Sequence, residues 1–347
     1  MSTKKPKIIV VLGPTATGKS VLAVRLAKKF SSKGGSAFGG NGEVISADSR
    51  QVYRGVDLGS DKVPRDNSKF KSQSAKLQFK IKNWNGKEYL YEGIRHHLID
   101  VANPKRKFTV TQYKKLAEKA IKDILKRGNP PKFRGTKLNR ARIPILCGGT
   151  GLYIDALIND WKLPEVKPNL KLRRELDKKS TEELFLQLKK LDPKRAGNID
   201  PRNKRRLVRA LEIVTQTSKS SYSNVLENNR IPKYDVLKIG IRVAPEELKK
   251  RIKKRTLKRL REGVAKEMES LKRSGVSQKR LNDISLYYRW LQPYLKGEMN
   301  QAEALEIIST KIGQYAKRQM TWFKRDKNIH WITKNSEMEK LVRNFLK

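Results

Sequence analysis

Eight consecutive residues near the N-terminus have the types and spacing needed to hold a phosphate group. The segment Gly13-Pro-Thr-Ala-Thr-Gly-Lys-Ser20 fits the pattern G-x-x-x-x-G-K-[ST]. In this pattern the glycines let the backbone fold tightly, so that successive N–H groups point at phosphate oxygens. Lys19 would neutralise the outer phosphates, the Ser20 hydroxyl could ligate Mg²⁺, and the following helix offers its positive N-terminus. We therefore predict a diphosphate or triphosphate site at Gly13, Pro14, Thr15, Ala16, Thr17, Gly18, Lys19 and Ser20.

Two polar residues that follow predicted strands are further candidates for chemistry. Asp48 comes after the apolar run 43–47 and could take a proton or hold Mg²⁺ through water, because functional groups of parallel sheets collect at the carboxyl ends of strands. An equally good interpretation is a turn-forming aspartate that caps Ser49. Thr150 lies in the loop Gly148-Gly-Thr-Gly-Leu-Tyr153, which could bring its hydroxyl to a ligand or simply turn a strand into a helix.

The elements that must position these residues alternate between strand and helix patterns. The apolar run 7–12 predicts a buried strand, and we predict further strands at 43–47, 96–101, 143–147 and 239–243. Helical spacing begins at 21 and recurs at 111–127, 245–273 and 301–325, while 170–217 is wholly helical. The alternation predicts an α/β fold, a three-layer P-loop NTPase-like parallel sheet with an inserted helical subdomain. We expect a first core part at 1–160, the insert at 161–220, and a return to the core with basic helices at 221–347.

Composition favours a folded protein that meets polyanions. The 347 residues are 37% hydrophobic, and 80 Lys and Arg against 34 acids give a net charge of +46. Such a charge gathers RNA, although a general preference for lysine in the source would also produce it. The single cysteine, Cys147, argues against disulfides and a cysteine-based zinc site. We expect a cytoplasmic protein, because no apolar run is long enough to span a membrane and the N-terminus lacks a signal-peptide pattern.

Eight segments, taken in order, resemble the bacterial tRNA dimethylallyltransferase family, also called tRNA isopentenyltransferases. They cover nearly the whole chain, and together they are specific where one alone would be weak. The matching segments are Gly13 to Ser20, Ile45-Ser-Ala-Asp-Ser-Arg-Gln-Val-Tyr53, His97-Leu-Ile-Asp-Val101, Gly148 to Tyr153, Asp192-Pro193, Arg206-Leu-Val-Arg-Ala-Leu-Glu212, Arg251-Ile-x-x-Arg255 and Lys317-Arg-Gln-Met-Thr-Trp-Phe323.

The resemblance implies transfer of a dimethylallyl group from dimethylallyl diphosphate, with Mg²⁺, to the exocyclic amine of the adenine 3′-adjacent to the anticodon. It implies that Asp48 is the base, that Thr150 lies beside the reacting amine, and that the loop with Lys19 holds the diphosphate. Arg251 or Arg255 would clamp the leaving group, and which of them does so is left open. The implied partner is the anticodon stem-loop of tRNA, bound by a monomer. The implied tRNA contacts are Asp48, Ser49, Arg50, Gln51, Thr150, Arg173, Arg205, Arg206, Leu207, Val208, Arg209, Lys317, Arg318, Gln319, Thr321 and Trp322.

The chain departs from the family pattern, and other functions compete with this one. Tyr287 stands where the family usually has a glycine before Tyr-Arg, and the loops 31–42, 62–93 and 129–142 are longer and more basic than is typical. The nearest alternative is an adenylate isopentenyltransferase of cytokinin synthesis, which has less need for a tRNA-binding insert. A P-loop kinase of a small molecule and a non-catalytic RNA-binding protein are the others. For Trp322, a core aromatic is at least as good an interpretation as a base-stacking residue.

Overall fold

The fold is taken from a computed structural model, which describes residues 5–31, 40–66, 89–128, 141–164, 166–217 and 232–347. The chain forms two compact units. The core unit consists of residues 1–158 and 233–347, and the helical unit consists of residues 159–232. Among the described residues, no helix combines the length and the apolarity that a membrane crossing requires. The predicted boundaries of the insert, 161–220, stay a prediction.

A seven-stranded sheet organises the core unit, in the order β3-β4-β2-β5-β1-β6-β7. Neighbouring strands are parallel except for β3, which runs antiparallel to β4 at one edge. Parallel strands that are covered on both faces are apolar at nearly every position, as β1 is from Ile8 to Leu12. The strands are β1 (Lys7–Leu12), β2 (Gly40–Ser46), β3 (Tyr89–Tyr91), β4 (Ile94–His97), β5 (Ala141–Gly148), β6 (Asp235–Ile241) and β7 (Ile329–Ile332). The prediction of an α/β fold with a P-loop NTPase-like sheet is confirmed.

Two apolar layers cover the sheet, because successive side chains of β1 point to opposite faces. Ile8, Val10 and Leu12 pack in one cluster with α2 (Val110–Gly128) and α3 (Gly151–Ile158). Ile9 and Val11 pack in another cluster with α1 (Lys19–Ser31). Because β1 and β2 both pair with β5 in parallel, the loops that follow these three strands lie at one edge of the sheet.

The described part of the helical unit contains four helices around a leucine-rich core. They are α4 (Leu170–Asp177), α5 (Thr181–Leu191), α6 (Pro193–Gly197) and α7 (Lys204–Gln216). Ser180 caps the N-terminus of α5 with a capping box. Its side chain accepts the backbone N–H of Glu183, and the Glu183 side chain accepts the backbone N–H of Ser180. Leu184, Leu188 and Leu211 are fully buried at its centre. The unit therefore agrees with the wholly helical pattern predicted from 170 to 217.

After β6 the chain returns to helices. Two boundaries predicted from the sequence are wrong, one in this segment and one earlier in the chain. The helix predicted at 245–273 is two helices, because Gly263 takes a left-handed φ of 93° that ends the first of them. The strand predicted at 96–101 stops at His97, since Leu98 and Asp100 have φ values of 63° and 59°. The helices are α8 (Pro245–Glu262), α9 (Val264–Arg273), α10 (Gln278–Ile284), α11 (Leu286–Trp290), α12 (Gln292–Leu295), α13 (Gln301–Phe323) and α14 (Asn335–Leu346). Most of the predicted basic loops lie outside the described residues.

A buried carboxylate fixes the turn that precedes the site. Glu267 of α9 accepts the backbone N–H groups of Asp57, Leu58 and Gly59 at 2.8–2.9 Å. The Tyr288 hydroxyl donates to the same carboxylate at 2.6 Å, and its ring lies where any side chain at Gly59 would collide. This turn carries Asp61 into the site described below.

A second buried carboxylate makes the stability of the core unit depend on pH in the acid range. Glu43 of β2 is paired with His97, Arg127 and Arg142 at 2.5–2.7 Å. Burial alone would raise the pKa of Glu43, but the hydrogen bonds from His97 and Arg142 outweigh it and lower the pKa to about 2. The stability that this ion pair contributes is therefore present above pH 4.5, the ordinary value, and is lost as the pH falls towards 2.

We expect Glu43→Gln to lower the melting temperature at pH 7, because it leaves the guanidinium groups of Arg127 and Arg142 around a neutral amide. The difference from the wild-type protein should narrow between pH 4.5 and 2, where the wild-type carboxyl also becomes neutral. Melting curves at a series of pH values, followed by circular dichroism, measure this. A difference that stays constant down to pH 2 would contradict the assignment.

Candidate active site

The loop between β1 and α1 has the strained backbone of a phosphate cradle. Ala16 and Gly18 take left-handed φ values of 66° and 88°. The Thr17 hydroxyl donates to the Pro14 carbonyl at 2.9 Å and closes the loop on itself. Lys19 begins α1, and its ammonium group lies 3.4 Å from the same carbonyl. The backbone is thus bent around a point at the N-terminus of α1, where an anion is favoured.

A cavity of about 510 Å³ opens beside this loop and lies wholly within the core unit. It brings the loop together with Asp48 and with one face of α8. The cavity is lined by Thr15, Ala16, Gly18, Lys19, Ser20, Val21, Asp48, Arg50, Gln51, Gly59, Ser60, Asp61, Arg251, Lys254, Arg255, Lys258, Leu286, Tyr287, Ile312, Tyr315 and Gln319. Cations outnumber the carboxylates of Asp48 and Asp61 in this lining, so the cavity suits an anion.

Lys19 is a cation that the surrounding protein does not fully compensate. Burial lowers the pKa of its ammonium group, while Cys147, Asp48 and Asp61 act in the opposite direction and Arg255 adds to the lowering. An anionic ligand at the loop would supply further counter-charge and favour the charged form of Lys19.

The carboxylate of Asp48 is held in one orientation at the end of β2. Its Oδ1 accepts the N–H of Arg50 at 2.8 Å and that of Gln51 at 3.4 Å, which is an aspartate turn. Within the described residues, no hydrogen bond reaches Oδ2, and Asp48 lines the cavity. The turn-forming and the functional interpretations of Asp48 are therefore compatible, because one oxygen serves the turn and the other is available to a ligand.

Thr150 lies next to Asp48 but serves the loop structure. Its hydroxyl accepts the N–H of Ser49 at 3.0 Å and lies 3.3 Å from the Ser49 hydroxyl. Its own N–H donates to the Ala47 carbonyl at 3.1 Å. Thr150 thereby ties the loop after β5 to the end of β2, and it is not among the described residues that line the cavity.

Gln319 of α13 joins the phosphate loop to the glycine-rich loop after β5. Its Oε1 accepts the Thr15 N–H at 2.8 Å, and its Nε2 donates to the Gly149 carbonyl at 2.7 Å. A Cβ atom at Gly149 would lie 2.2 Å from Nε2, so this contact requires glycine there. Gln319 is only 6% exposed, and both ends of its side-chain amide are engaged by the two loops.

The two candidate arginines of α8 have different surroundings. Arg255 donates to the Thr15 hydroxyl at 2.7 Å and lies 3.2 Å from Asp61, so it sits against the phosphate loop. Arg259 binds the other oxygen of Asp61 at 2.9 Å. Arg251 is half exposed and is paired with Glu247 one turn earlier in the helix, although it also lines the cavity. Arg255 is therefore the better placed of the two to bind a phosphate held by the loop.

Like Ser49, which is bonded to Thr150, the other two tRNA contacts expected beside Asp48 have structural partners. Arg50 donates to the Ile284 carbonyl at 3.0 Å and lies over the Tyr315 ring at 5.3 Å from its centroid. Gln51 accepts from the Ser46 hydroxyl at 2.9 Å. Both also line the cavity, so a substrate that enters it would meet their side chains.

On α13 the expected contacts divide between the surface and the interior. Lys317, Arg318 and Thr321 are exposed. Trp322 packs on Gly151 and donates its Nε1–H to Asp155 at 2.7 Å, which agrees with a core aromatic. A basic exposed face thus lies beside the buried Gln319.

In the helical unit, Leu207 and Val208 pack in the core at 0% and 6% exposure, so their side chains are not available to RNA. Arg173 and Arg209 are both paired with the buried Glu212, at 2.6 and 2.5 Å. Arg205 and Arg206 are exposed and are the residues of this segment that present charge to solvent.

Several lining residues were not predicted from the sequence. Lys254 and Lys258, with Arg251 and Arg255, follow the spacing of one helix face, and that spacing could have identified them. Asp61 lies in a left-handed turn with φ 53°, and no local pattern marks it.

Comparison with known proteins gives one consistent result. Residues 80–326 match the family model described as IPP transferase. A tRNA dimethylallyltransferase of Acetivibrio thermocellus is 35% identical over 344 residues, covering 97% of this chain and 95% of the relative. The solved full-length tRNA isopentenylpyrophosphate transferase of Bacillus halodurans is 29% identical, with a TM-score of 0.62 and coverage of 99% and 97% of the two chains. A eukaryotic dimethylallyltransferase crystallised while acting on tRNA is 25% identical, with a TM-score of 0.71 over 98% of this chain and 77% of its own.

Proposed function

The chain belongs to the IPP transferase family, and from this premise we propose the reaction that its cavity carries out. The enzyme transfers a dimethylallyl group from dimethylallyl diphosphate to the exocyclic amine of the adenine 3′-adjacent to the anticodon in tRNA, and it releases diphosphate. The relatives are named for prenyl transfer to tRNA, and the donor and the target base are our extension. We also propose that the enzyme acts as a monomer, as the resemblance to the family implies.

The observation that carries the proposal is the single cavity shared by the phosphate loop and Asp48. Transfer of an allylic group builds negative charge on the departing diphosphate and positive charge on the carbon. Cations and N–H donors already in place around the leaving group therefore lower the barrier. Lys19, the loop backbone and Arg255 form that cationic side, and Arg255 is the arginine that clamps the leaving diphosphate.

Asp48 acts on the nucleophile. An aromatic amine is a weak nucleophile, so a positioned carboxylate helps by removing its proton during attack. The turn through Oδ1 holds the carboxylate, and Oδ2 receives the proton. The adenine must leave its stack in the anticodon loop to reach this depth. Thr150 supports the arrangement through Ser49 and positions the Asp48 segment.

The residues present also fit a Mg²⁺ ion, which prefers oxygen ligands. Ser20 and Asp48 both line the cavity, so a hydroxyl and a carboxylate of the lining residues are candidate oxygen ligands. The Ser20 side chain would hold the ion at the loop. When bound, Mg²⁺ supplies positive charge to the diphosphate oxygens.

Purified protein, dimethylallyl diphosphate, Mg²⁺ and unmodified tRNA test the proposal, with the nucleosides of the digested tRNA analysed by mass spectrometry. We expect a prenylated adenosine at the position 3′ of the anticodon, and more turnover on an anticodon stem-loop than on AMP. An unaltered adenosine would contradict the function. Preference for AMP would favour an adenylate isopentenyltransferase, and ATP consumption without a prenyl donor would favour a kinase.

Helix α13 allows donor binding and tRNA binding to be separated. We expect Gln319→Ala to raise KM for the diphosphate donor about 5- to 30-fold, because the Thr15 N–H and the Gly149 carbonyl lose their buried partner. Lys317→Ala and Arg318→Ala should instead weaken tRNA binding and reduce its salt dependence by about one counterion each. Steady-state kinetics and filter binding at several salt concentrations measure both. Equal effects of the three variants on tRNA affinity would contradict the buried role of Gln319.

A further inference from the structure

The wall of the cavity contains a tyrosine for which the family pattern gives no role. Tyr287 is the second residue of α11, is 2% exposed and lines the cavity beside Leu286. A glycine at this position would leave the same wall without a polar group. The hydroxyl of Tyr287 is therefore an addition to the site that is specific to this sequence.

Among the described residues, the Tyr287 hydroxyl and two other buried polar groups of this region lack a hydrogen-bond partner. The Tyr287 hydroxyl lies beside the Thr256 hydroxyl, but neither completes a hydrogen bond of normal geometry with any described residue. The Nε–H of Arg255 is also buried without an acceptor. Leaving a buried donor unsatisfied costs about 1–3 kcal/mol, so native proteins rarely do it without cause. Three neighbouring donors indicate that an acceptor belongs there.

The charges around these donors identify the kind of acceptor. Burial raises the pKa of Tyr287 to about 12, helped by Asp61 and opposed by Arg255, so the hydroxyl keeps its proton at neutral pH and can donate it. Both oxygens of Asp61 are already engaged by Arg255 and Arg259. The remaining side chains of α8 at the cavity, Lys254 and Lys258 among them, are cations. An anionic acceptor fits these surroundings.

Arg255 connects this cluster to the phosphate loop, since it donates to the Thr15 hydroxyl, and Thr15, Arg255 and Tyr287 all line the cavity. Resting on the function proposed above, we propose that the Tyr287 hydroxyl donates a hydrogen bond to a phosphate oxygen of the diphosphate group, next to Arg255. Tyr287 is thus a binding residue of the donor site.

Calorimetric titration of the full chain with inorganic diphosphate and Mg²⁺ tests this without any need for tRNA. We expect Tyr287→Phe, which removes only the hydroxyl, to raise the Kd for diphosphate about 5- to 30-fold. Tyr113→Phe is the matched control, because the Tyr113 hydroxyl is also buried without a partner but lies outside the cavity lining, with its ring stacked on Tyr153 at 4.0 Å. Its Kd should equal that of the wild-type protein.

The melting temperature without ligand distinguishes a binding role from a structural one. If the hydroxyl waits for a ligand, Tyr287→Phe melts at the wild-type temperature or above it, because an unsatisfied group has been removed. A lower melting temperature with unchanged diphosphate affinity would overturn the assignment and make the hydroxyl part of the fold. Equal affinity of Tyr287→Phe and the wild-type protein overturns it in any case. A wild-type protein that binds no diphosphate would instead contradict the proposed function, and the assignment with it.

Discussion

Replacing Asp48 with asparagine should lower kcat for prenyl transfer to tRNA by about 10²- to 10⁴-fold, the usual contribution of a positioned general base. Asparagine keeps an oxygen that can accept the N–H groups of Arg50 and Gln51, so the turn at the end of β2 should persist. It cannot take the proton of the attacking amine. Diphosphate affinity should stay the same or rise, because one negative charge leaves the cavity.

Single-turnover kinetics with saturating tRNA and donor measure this loss. Asp283→Asn is a matched control, since Asp283 lies on α10 outside the cavity lining and has only a 3.9 Å ion pair with Arg289. It should keep wild-type kinetics. Prenyl transfer by Asp48→Asn within a few-fold of the wild-type rate would mean that Asp48 only shapes the turn.

The second large effect is expected from Lys19→Met, which keeps the length of the side chain and removes its charge. The Kd for diphosphate should rise and kcat should fall. The charge of Lys19 acts on the bound diphosphate group, and it acts more strongly on the departing diphosphate. Loss of one such preorganised donor costs about 10²- to 10³-fold in kcat. Without ligand the protein should be no less stable, since burial already lowers the pKa of this ammonium group.

Lys258→Met serves as the comparison for Lys19→Met. Lys258 also lines the cavity, but its side chain is 68% exposed and has Glu262 as a partner at 3.7 Å. Exposed charges of this kind contribute little, so activity should change less than about 5-fold. If the two variants lost activity equally, the cavity would act through its overall charge and not through a phosphate loop.

The two main variants should also differ from each other in kind. Asp48→Asn is expected to bind the donor and fail in transfer, whereas Lys19→Met is expected to fail in both steps. Calorimetric titration with diphosphate and single-turnover rates of prenyl transfer, both measured for the two variants, make this comparison. The same pattern of loss in both variants would mean that the cavity does not divide the leaving group and the nucleophile between these residues.

The parts of the site that could be predicted from the sequence are those that local patterns encode. The phosphate loop is one unbroken segment after a buried strand, and Asp48 follows the next strand, so sheet topology brings them to one edge. The role of Arg255 required the fold, because Thr15 is 240 residues away in sequence. For Gln319 the separation from Thr15 is 304 residues, and its neighbours Lys317 and Arg318 made it look like part of an exposed basic segment.

Other expectations from the sequence missed ion pairs between distant residues, or overlooked the periodicity of a buried helix face. Leu207, Val208 and Leu211 have the spacing of a buried helix face, and this pattern could have predicted that the side chains of the first two are buried. Arg173 and Arg209 meet at Glu212, which neither of their local sequences reveals. The strand expected at 96–101 stops early because two non-glycine residues take left-handed conformations, which apolar patterning does not predict.

In the proposed reaction, one cavity couples departure of diphosphate to attack by a tRNA base. Diphosphate release measured in a single turnover, beside prenylated tRNA, tests it most directly. We predict one diphosphate released for each tRNA prenylated and almost none when tRNA is omitted. Diphosphate released at full rate without tRNA, or tRNA prenylated without diphosphate release, would contradict the account.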